Sequence, residues 1–395
     1  RFRKLLIKLK LKQADSGIAK TYSEAIKIAS DIGLPLVVRP SYVLGGRAME
    51  IVHEKSQLKD FVQEAFKAAE NNPILIDRFI NNAMEVDVDA ISDGKDVFVA
   101  GVMQHIEEAG IHSGDSACVL PPYKIKEETL DKIINITQIL AIELKVVGLI
   151  NLQFAYKNGQ LYVLEVNPRA SRTVPFVSKA TNVPLARIAS QLTVGAKLKN
   201  FKLTSWDKLN HTAVKEAVLP FNKFPLESIF LSPEMKSTGE VMGISNTLGD
   251  SFRRALISAG NKIPDKGAVF ISVNDSDKLN IIPIARDLIE IGFKLFTTLG
   301  TNKVLRKNGI SSSLIFKVGE GRPNVVDGIK NNEINLVINT PIGYKARYDE
   351  ESIGRACIEK GIIAITTLSG ASAVIRSIRL LKKKIIVRSI QDYHS

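Results

Sequence analysis

The sequence predicts an α+β part that mixes hairpins with helices, followed by an α/β part with a parallel sheet. Three observations predict this. Short strands with turn signals fill residues 1–193, prolines interrupt residues 194–261, and strands alternate regularly with helices over residues 262–395. Regular β/α alternation favours a parallel sheet, whereas hairpins in mixed order with helices favour α+β. We therefore expect a first domain at 1–193, a connector at 194–261 and a second domain at 262–395.

Strands and helices of the first domain follow from local patterns. Leu34–Pro40 is an apolar run bounded by prolines, which favours a strand entering and leaving a sheet. Ser56 is placed to cap a helix over 57–70. Acidic and apolar residues alternate over Glu85–Ala90, which predicts a half-buried strand. The other predicted elements are the strands Ala48–His53, Ile74–Ile80 and Val97–Ile106 and the helix Glu127–Leu144.

A predicted hairpin is the most informative pattern in the sequence. Its strands are Gly148–Tyr156 and Leu161–Arg169, joined by Lys157-Asn158-Gly159, which has the chemistry of a tight turn. Side chains alternate along a strand, so we expect the second strand to present several polar groups on one face.

The polar residues of this hairpin suggest a metal site. Glu165, Asn167 and Arg169 should share a face, and strand pairing could bring Gln153 beside Glu165 and Asn167. Carboxylate and amide oxygens suit Mg²⁺ or Mn²⁺, which often bind together with substrate phosphates. An exposed strand face with ordinary polar residues is the alternative.

Two loops could bind phosphate groups. Arg39 ends a strand beside Gly45-Gly46, where glycines let the backbone approach a phosphate closely. The loop Glu107–Ser116 is dense in polar residues, and its His112 could donate to a phosphate or ribose oxygen. An arginine paired with an acid and a structural histidine are the corresponding alternatives.

The second domain is predicted to bind ligands at strand ends. Thr298–Thr301 opens a helix after one strand and Asn339 ends another, and ligands of parallel sheets bind at such carboxyl ends. Ordinary helix capping is the alternative. The predicted strands are Ala268–Val273, Phe293–Thr297, Leu314–Val318, Asn335–Asn339 and Gly361–Thr366. The predicted helices are Asp277–Ile291, Thr301–Asn308, Val325–Lys330, Glu351–Glu359 and Ala371–Leu381.

Composition excludes several classes of protein. The 395 residues are 45% hydrophobic and carry a formal charge of +13, but the lysines are scattered without interleaved aromatics, so no nucleic-acid partner is expected. We find no apolar run long enough for a membrane span and expect no membrane partner. The two cysteines, Cys118 and Cys357, favour a reducing cytoplasm. Because the sequence begins with Arg1, we expect a piece of a longer protein.

The candidate residues together favour one reaction class. The sequence lacks a Ser-His-Asp arrangement and clustered Cys/His zinc spacing. Oxygen ligands for Mg²⁺, cations for phosphate and a glycine loop favour nucleotide-dependent phosphoryl transfer, which needs charge neutralisation and positioning more than a covalent nucleophile.

Several long motifs resemble the C-terminal half of the carbamoyl phosphate synthase large subunit, an ATP-grasp unit followed by a methylglyoxal-synthase-like allosteric domain. Val37–Met49, Gly110–Ser116, Glu165–Phe176, Val218–Pro225 and Ser237–Gly243 carry the resemblance, and the sequence from Lys262 onward is similar to the allosteric domain. The resemblance implies an α+β ATP-grasp domain, N-terminally truncated here, and an α/β parallel-sheet domain.

The resemblance also implies roles in catalysis. Arg39 would hold ATP phosphates, main-chain groups near Arg78 and Ile80 would receive adenine, and Glu85 would bind the ribose. Gly110, Ile111, His112 and Ser113 would complete the nucleotide pocket. Gln153, Glu165 and Asn167 would bind Mg²⁺ or Mn²⁺ against ATP, with K⁺ as a further ion. Arg169 and Arg172 would be catalytic and steady phosphate or carbamate.

Regulation is implied in the same way. Glu107, Asp115 and Glu216, with Thr366 or Thr367, would bind ornithine. Lys278, Thr298, Thr301, Lys317 and Asn339 would hold a UMP-type effector. Two residues depart from the family: Arg78 stands where some members have His, and Pro341 stands where others have a hydroxyl residue.

The implied reaction is phosphorylation of carbamate by ATP, feeding arginine and pyrimidine biosynthesis in the cytoplasm. The implied partners are the N-terminal half of the large subunit and a glutaminase small subunit. Three alternatives remain: a biotin carboxylase relative, a non-catalytic allosteric or assembly module, and an active methylglyoxal synthase in the tail. The Arg39–Arg47 run argues against the first and intact Gln153, Glu165 and Asn167 against the second. We see no sequence support for the catalytic acid of the third.

Overall fold

The computed structural model describes residues 2–41, 45–70, 72–224, 229, 231–340 and 344–394. Tyr42, Val43 and Leu44 of the glycine-loop motif lie outside the described residues. So do Pro225 of the predicted connector and Pro341, the predicted departure from the family at the effector site.

The strands of the described residues form three sheets, and helices pack against them. The helices are α1 (Phe2–Lys8), α2 (Tyr22–Ile32), α3 (Lys55–Ala68), α4 (Glu127–Glu143), α5 (Val174–Thr181), α6 (Leu185–Thr193), α7 (Leu248–Ser258), α8 (Ile281–Ile291), α9 (Leu299–Lys307), α10 (Val325–Lys330), α11 (Tyr344–Lys360) and α12 (Leu368–Ile378). The strands are β1 (Ser16–Ala19), β2 (Leu36–Pro40), β3 (Glu50–Val52), β4 (Ile74–Arg78), β5 (Met84–Asp93), β6 (Val97–Glu108), β7 (Cys118–Leu120), β8 (Val147–Lys157), β9 (Gln160–Asn167), β10 (Thr212–Val218), β11 (Gly239–Ser245), β12 (Ala268–Val273), β13 (Lys294–Thr297), β14 (Ser313–Leu314), β15 (Leu336–Thr340) and β16 (Ile363–Ile365).

A small antiparallel sheet opens the molecule. Its described strands lie in the order β1-β4-β2-β3, and α2 and α3 pack on it through a core that includes Leu36, Val38 and Ile76. The predicted cap of α3 was wrong by two residues. The helix begins at Lys55, so Ser56 lies inside its first turn. The Gln57 side chain caps the start of the helix by accepting the backbone N–H of Glu54 at 3.0 Å.

A larger antiparallel sheet forms the centre of the N-terminal part. Its described strands lie in the order β11-β10-β7-β6-β5-β8-β9, with α4, α5 and α6 packed against it. The alternating strand at Glu85–Ala90 was expected to be half-buried, but both faces of β5 are covered. Its acidic face is enclosed as fully as its valine face, because partner groups surround the carboxylates.

The hairpin of β8 and β9 confirms the predicted turn. Asn158 and Gly159 both have positive φ, as a two-residue hairpin turn requires. Gln153 pairs with Glu165 across the strands. A bulge follows, so Val163 packs in the core although Glu165, two residues on, faces the polar side.

The predicted second strand was two residues too long. β9 ends at Asn167, and Arg169 lies beyond it, exposed, so the strand's alternation does not orient this arginine. Segment 194–261, predicted as a connector, contributes β10 and β11 to the large sheet and also forms α7. The partner strands β7 and β10 are about 90 residues apart in the sequence, which hides the pairing from local patterns.

A parallel sheet dominates the C-terminal part, as predicted. Its described strands lie in the order β14-β13-β12-β15-β16 and all pair in parallel. The predicted strand 314–318 shrinks to Ser313–Leu314. Helix α8 begins at Ile281 instead of Asp277, which keeps Pro283 in the first turn, where a missing N–H costs little.

Both large sheets share one continuous core. Ile106, Val119 and Val214 of the antiparallel sheet cluster with Ile271 and Ile338 of the parallel sheet. Helix α12 packs on both α7 and β6. The expected boundaries at 193 and 261 stay predictions. Among the described residues, no helix combines the length and the apolar character needed to cross a bilayer.

Candidate active site

The hairpin brings the three predicted metal ligands together. Gln153 lies opposite Glu165, Asn151 lies opposite Asn167, and Asn167 Nδ2 donates to Glu165 Oε1 at 2.7 Å. Gln153 Nε2 donates to Ser113 Oγ at 3.0 Å, which joins the hairpin to the glycine-containing loop. One carboxylate and two side-chain amides, all half-buried, form a hard oxygen donor set that fits Mg²⁺ or Mn²⁺.

Glu85 lies close enough to Glu165 to interact with its charge, and the pKa of Glu85 is raised. The side chain is buried, and burial raises its pKa to about 7. His105 and a backbone hydrogen bond from Gly110 oppose the rise, whereas Asp87 and Glu165 add to it. A buried carboxyl group whose pKa is raised by its surroundings, close to other acidic groups, is a common mark of a functional site.

The loop after β6 is built as a tight pocket wall. Gly110 has φ +114°, and a Cβ there would lie 2.9 Å from the Phe79 ring, so glycine is required. His112 Nδ1 accepts the N–H of Gly114 at 3.0 Å, which leaves the proton of a neutral imidazole on Nε2. Burial lowers the pKa of His112, so the neutral ring is favoured.

Two predicted nucleotide-binding arginines already have partners. Arg39 Nε lies 2.5 Å from Asp77 Oδ2 on the neighbouring strand, and burial raises the pKa of Asp77 against the pull of Arg39. The Arg78 guanidinium donates to the Ile32 carbonyl, and its main-chain N–H donates to Asp15 O at 2.7 Å. Arg39 is therefore held in place, whereas the N–H of Arg78 is engaged away from the predicted adenine pocket.

Ile80 lies just beyond the end of β4, half-buried. Phe79 before it donates its N–H to Pro35 O at 3.0 Å, which fixes the start of this turn. The backbone at Ile80 is therefore outside the sheet ladder, where a base could be received.

The two predicted catalytic arginines follow β9 but differ in their surroundings. Arg172 is half-buried, donates to Ser237 Oγ at 3.1 Å and touches Met235 Sδ at 2.7 Å. Arg169 is exposed, and its guanidinium donates to the neighbouring carbonyl of Ala170 at 2.9 Å. The structure thus brings Arg172 into a packed site and leaves Arg169 at its edge.

Residues Ser232–Ser237, which we call the bridging segment, contact several of these elements. Ser232 O accepts the N–H of His112 at 2.8 Å, and Met235 donates its N–H to Gly45 O at 3.0 Å. A Cβ on Gly46 would lie 2.0 Å from the Pro233 carbonyl oxygen. The glycine loop, the His112 loop and Arg172 therefore share one support, which the sequence did not reveal.

Family comparisons agree with this geometry. The family model described as carbamoyl-phosphate synthase L chain, ATP binding domain, matches residues 1–201, and the MGS-like domain model matches residues 280–366. The protein is 52% identical to the carbamoyl phosphate synthase large chain of Archaeoglobus fulgidus over 100% of its own length and 37% of that relative. It is 48% identical to the large chain, C-terminal section, of Aquifex aeolicus, over 97% of its own length and 74% of that relative.

This chain belongs to the carbamoyl phosphate synthase large-chain family.

It corresponds to the C-terminal part of such large chains and spans about 37% of the full-length relative from Archaeoglobus fulgidus. Among solved structures, the biotin carboxylase domain of Hydrogenobacter thermophilus 2-oxoglutarate carboxylase, in complex with MgADP, ADP and bicarbonate, is similar with a TM-score of 0.53. That likeness covers 65% of this protein and 64% of the other at 17% identity, which shows the ATP-grasp fold alone. The hypothesis of a biotin carboxylase relative is therefore weaker than membership of the synthase family.

In this member of the large-chain family, the acids predicted to bind ornithine line a cavity of about 580 Å³ between the two domains. Burial and the nearby Glu107 raise the pKa of Glu216 to about 8, and Lys215 opposes the rise. Asp115 lies against the same cavity, but its two carboxylate oxygens accept the N–H groups of Lys236 and Ser237 at 2.7 and 2.8 Å. Thr366 and Thr367 form part of the opposite wall.

Lys215 is a functional candidate that sequence reasoning missed. Its side chain is fully buried, and Nζ donates to the carbonyls of Ser113 and Gly114 at 3.0 and 3.4 Å. The ammonium thus joins the acidic cavity to the loop that touches Gln153. The sequence TAVKEAV around it does not alternate polar and apolar residues, so no local pattern marked Lys215 as a buried cation.

The residues predicted to bind a nucleotide effector also converge, in the parallel-sheet domain. They line a second cavity of about 580 Å³ at the carboxyl ends of the parallel strands: Lys278, Thr298, Thr301, Lys317 and Asn339. Thr298 precedes α9, and Gly300 brings that helix so close that a Cβ would lie 3.0 Å from Lys278 Nζ. Lysines and a helix N-terminus suit an anion. Asn274, Asn339 and Thr340 line both cavities of this synthase-family protein.

Buried acids and a histidine add to the site without having been predicted. His105 Nε2 lies 3.0 Å from Asp87 Oδ2, and His105, Asp87 and Cys118 offer ligand atoms within 4.8 Å of one another. The pKa of His105 is raised well above its ordinary value, because Cys118, Asp87 and Glu85 outweigh the opposing effect of burial. The protonated His105 of this pair therefore places a positive charge near Glu85.

Proposed function

We propose that this protein catalyses the last phosphoryl transfer of carbamoyl phosphate synthesis: ATP phosphorylates carbamate to give carbamoyl phosphate and ADP. The observation that supports this most is the register of the hairpin, which sets Gln153, Glu165 and Asn167 together, with Gln153 bonded to Ser113. A divalent cation bound there would neutralise charge on the ATP phosphates and on the transferred group.

The side chains around that set would hold and orient the reactants. Glu85 would accept ribose hydroxyls and His112 would donate from Nε2, while Arg39 would reach the phosphates from its strand. Arg172, with Arg169 at the rim, would offset repulsion between carbamate and the γ-phosphate. Phosphoryl transfer gains most of its rate from such positioning and charge stabilisation.

The two cavities would regulate this reaction. Glu107 and Glu216 suit the amino groups of an ornithine-type activator, and Lys278, Lys317 and the start of α9 suit the phosphate of a UMP-type effector. The shared wall of Asn274, Asn339 and Thr340 would let one cavity sense the other.

The whole enzyme would need more than this protein. Carbamate would come from an N-terminal large-chain half and ammonia from a glutaminase small subunit, in the cytoplasm, feeding arginine and pyrimidine biosynthesis. Either Mg²⁺ or Mn²⁺ would serve at the metal site, and K⁺ would act as a further ion.

The test is formation of ATP from ADP and carbamoyl phosphate by the full-length large chain in its complex. We expect metal-dependent ATP formation that chelation abolishes and added Mg²⁺ or Mn²⁺ restores. No ATP from an enzyme that still binds ADP would contradict the proposal. Activity unchanged by chelation would contradict the metal site.

A further inference from the structure

Asp89 is a fully buried carboxylate near the middle of β5, and it binds three groups from other elements. Oδ2 accepts Thr173 Oγ1 at 2.6 Å, and Oδ1 accepts Ser171 Oγ at 2.7 Å and Asn151 Nδ2 at 3.0 Å. The hydroxyl oxygens of Ser171 and Thr173 lie 2.8 Å apart, and each hydroxyl donates its one proton to Asp89. One carboxylate therefore ties β8 and the segment after β9 to the central strand.

Burying this group is costly, and its partners reduce the cost. Burial raises the pKa of Asp89 to about 6, while the hydrogen bonds from Thr173, Ser171 and Asn151 oppose the rise. Short hydrogen bonds to an ionised acceptor are stronger than neutral ones. A carboxylate kept in the interior by three side-chain donors holds those donors in one geometry.

The tied segment carries the arginines of the proposed reaction. Residues 168–173 belong to neither β9 nor α5, so no ladder fixes them. Ser171 and Thr173 flank Arg172, and both point to Asp89. Arg172 lies in a turn between these two anchors, and its guanidinium donates to Ser237 Oγ at 3.1 Å. The anchors on either side therefore hold the backbone that carries this arginine.

We propose that Asp89 is a positioning residue for the phosphoryl transfer. It acts through Ser171 and Thr173 to fix the backbone of Arg172, and it touches no reactant itself. This inference rests on the proposed function. A displacement of about 1 Å in such a segment is enough to cost roughly 10²-fold in rate.

The decisive measurement is the steady-state kinetics of ATP formation from ADP and carbamoyl phosphate by the full-length enzyme. For Asp89→Asn we expect kcat to fall roughly 10- to 100-fold. We expect KM for ADP to change by less than about twofold, because the nucleotide contacts lie on other segments. Thr173→Val should reproduce the loss, and Thr173→Ser, which keeps the hydroxyl, should restore activity.

Asp93 provides a matched control on the same strand. It is also buried and accepts three hydrogen bonds, from the N–H groups of Lys95, Asp96 and Leu198 at 3.0, 2.8 and 3.0 Å, but it ties no arginine segment. Asp93→Asn should lower the melting temperature and leave kcat unchanged.

Each outcome decides between specific statements. Asp89→Asn that loses thermal stability while keeping full kcat would make Asp89 merely structural and overturn the inference. If Asp89→Asn does not fold, wild-type kcat in Thr173→Val overturns it instead, and a loss rescued only by Thr173→Ser supports it. If the wild-type enzyme forms no ATP, the proposed function is rejected. If the wild-type enzyme is active and the Asp89 and Thr173 variants have the same kcat, only the role of Asp89 is rejected.

Discussion

The antiparallel and the parallel sheet gather their polar residues in different ways. On the antiparallel hairpin, Gln153, Glu165 and Asn167 meet because paired strands place alternate residues on one face. In the parallel sheet, Lys278, Thr298 and Asn339 come from separate strand ends tens of residues apart. A site of the first kind is visible in one short stretch of sequence, whereas a site of the second kind depends on the whole topology.

The largest expected effect separates chemistry from regulation. Glu165→Gln removes the carboxylate of the proposed metal set, and we expect ATP formation to fall roughly 10²- to 10³-fold, because charge stabilisation of this kind is worth several kcal/mol. Binding of ornithine and UMP, followed by calorimetry, should not change. Glu143→Gln, an exposed acid paired with Lys8, is the control. Equal loss of effector binding would show that the two regions are not separable.

The next effect acts on the parallel sheet alone. Lys278→Ala with Lys317→Ala should weaken UMP binding roughly 10- to 100-fold, since each partly solvated contact between a lysine and a phosphate contributes about 1 kcal/mol. Basal ATP formation should stay at the wild-type rate. Lys303→Ala on the exposed face of α9 is the matched control. Unchanged UMP affinity in the double variant would show that the phosphate of UMP does not bind in this cavity.

A smaller effect is the pH dependence of ornithine binding. Glu216, with its pKa raised to about 8, is mostly protonated at neutral pH, and a cationic amine binds its ionised form. Affinity should therefore rise with pH between about 6 and 8, by up to about tenfold per unit, and flatten above. Calorimetry in two buffers should detect proton release, and Glu216→Gln should remove both signals. If ornithine affinity in the wild-type enzyme does not change with pH, the amino group of ornithine does not bind Glu216.

The smallest expected effect tests the link between the regions. Ser237→Ala removes the bonds of its hydroxyl to Gly114 O and Arg172, at 3.0 and 3.1 Å, about 1 kcal/mol in all. We expect ornithine to stimulate ATP formation less, at nearly normal ornithine affinity. Ser190→Ala on the exposed side of α6 serves as control. Full stimulation in the variant would exclude the bridging segment from the coupling.

Short stretches of sequence predicted the features that depend on neighbouring residues. The Asn158-Gly159 turn and the pairing of Gln153 with Glu165 follow from turn residues and strand alternation, and the structure confirms both. The resemblance to the family predicted a set of effector-binding residues, and these residues line one cavity. Their role in binding an effector stays a prediction.

Other features depend on contacts between distant parts of the sequence. Prolines hid the strands β10 and β11. The pairing of β10 with β7 is visible in no short window of the sequence. Asp89 and Lys215 resembled ordinary strand residues, because their importance comes from partners about 60 to 100 residues away. The exposed position of Arg169 follows from β9 ending two residues before it.

The core shared by both large sheets limits how an effector signal can travel. Ile106 and Val214 pack among the same side chains as Ile271 and Ile338, so opening a cleft between the domains would bring much apolar surface into water. A wide hinge swing is therefore expensive. If the proposed effectors act on the reaction, their signal would pass through slight sliding or tilting of packed elements, which close-packed interiors transmit over long distances.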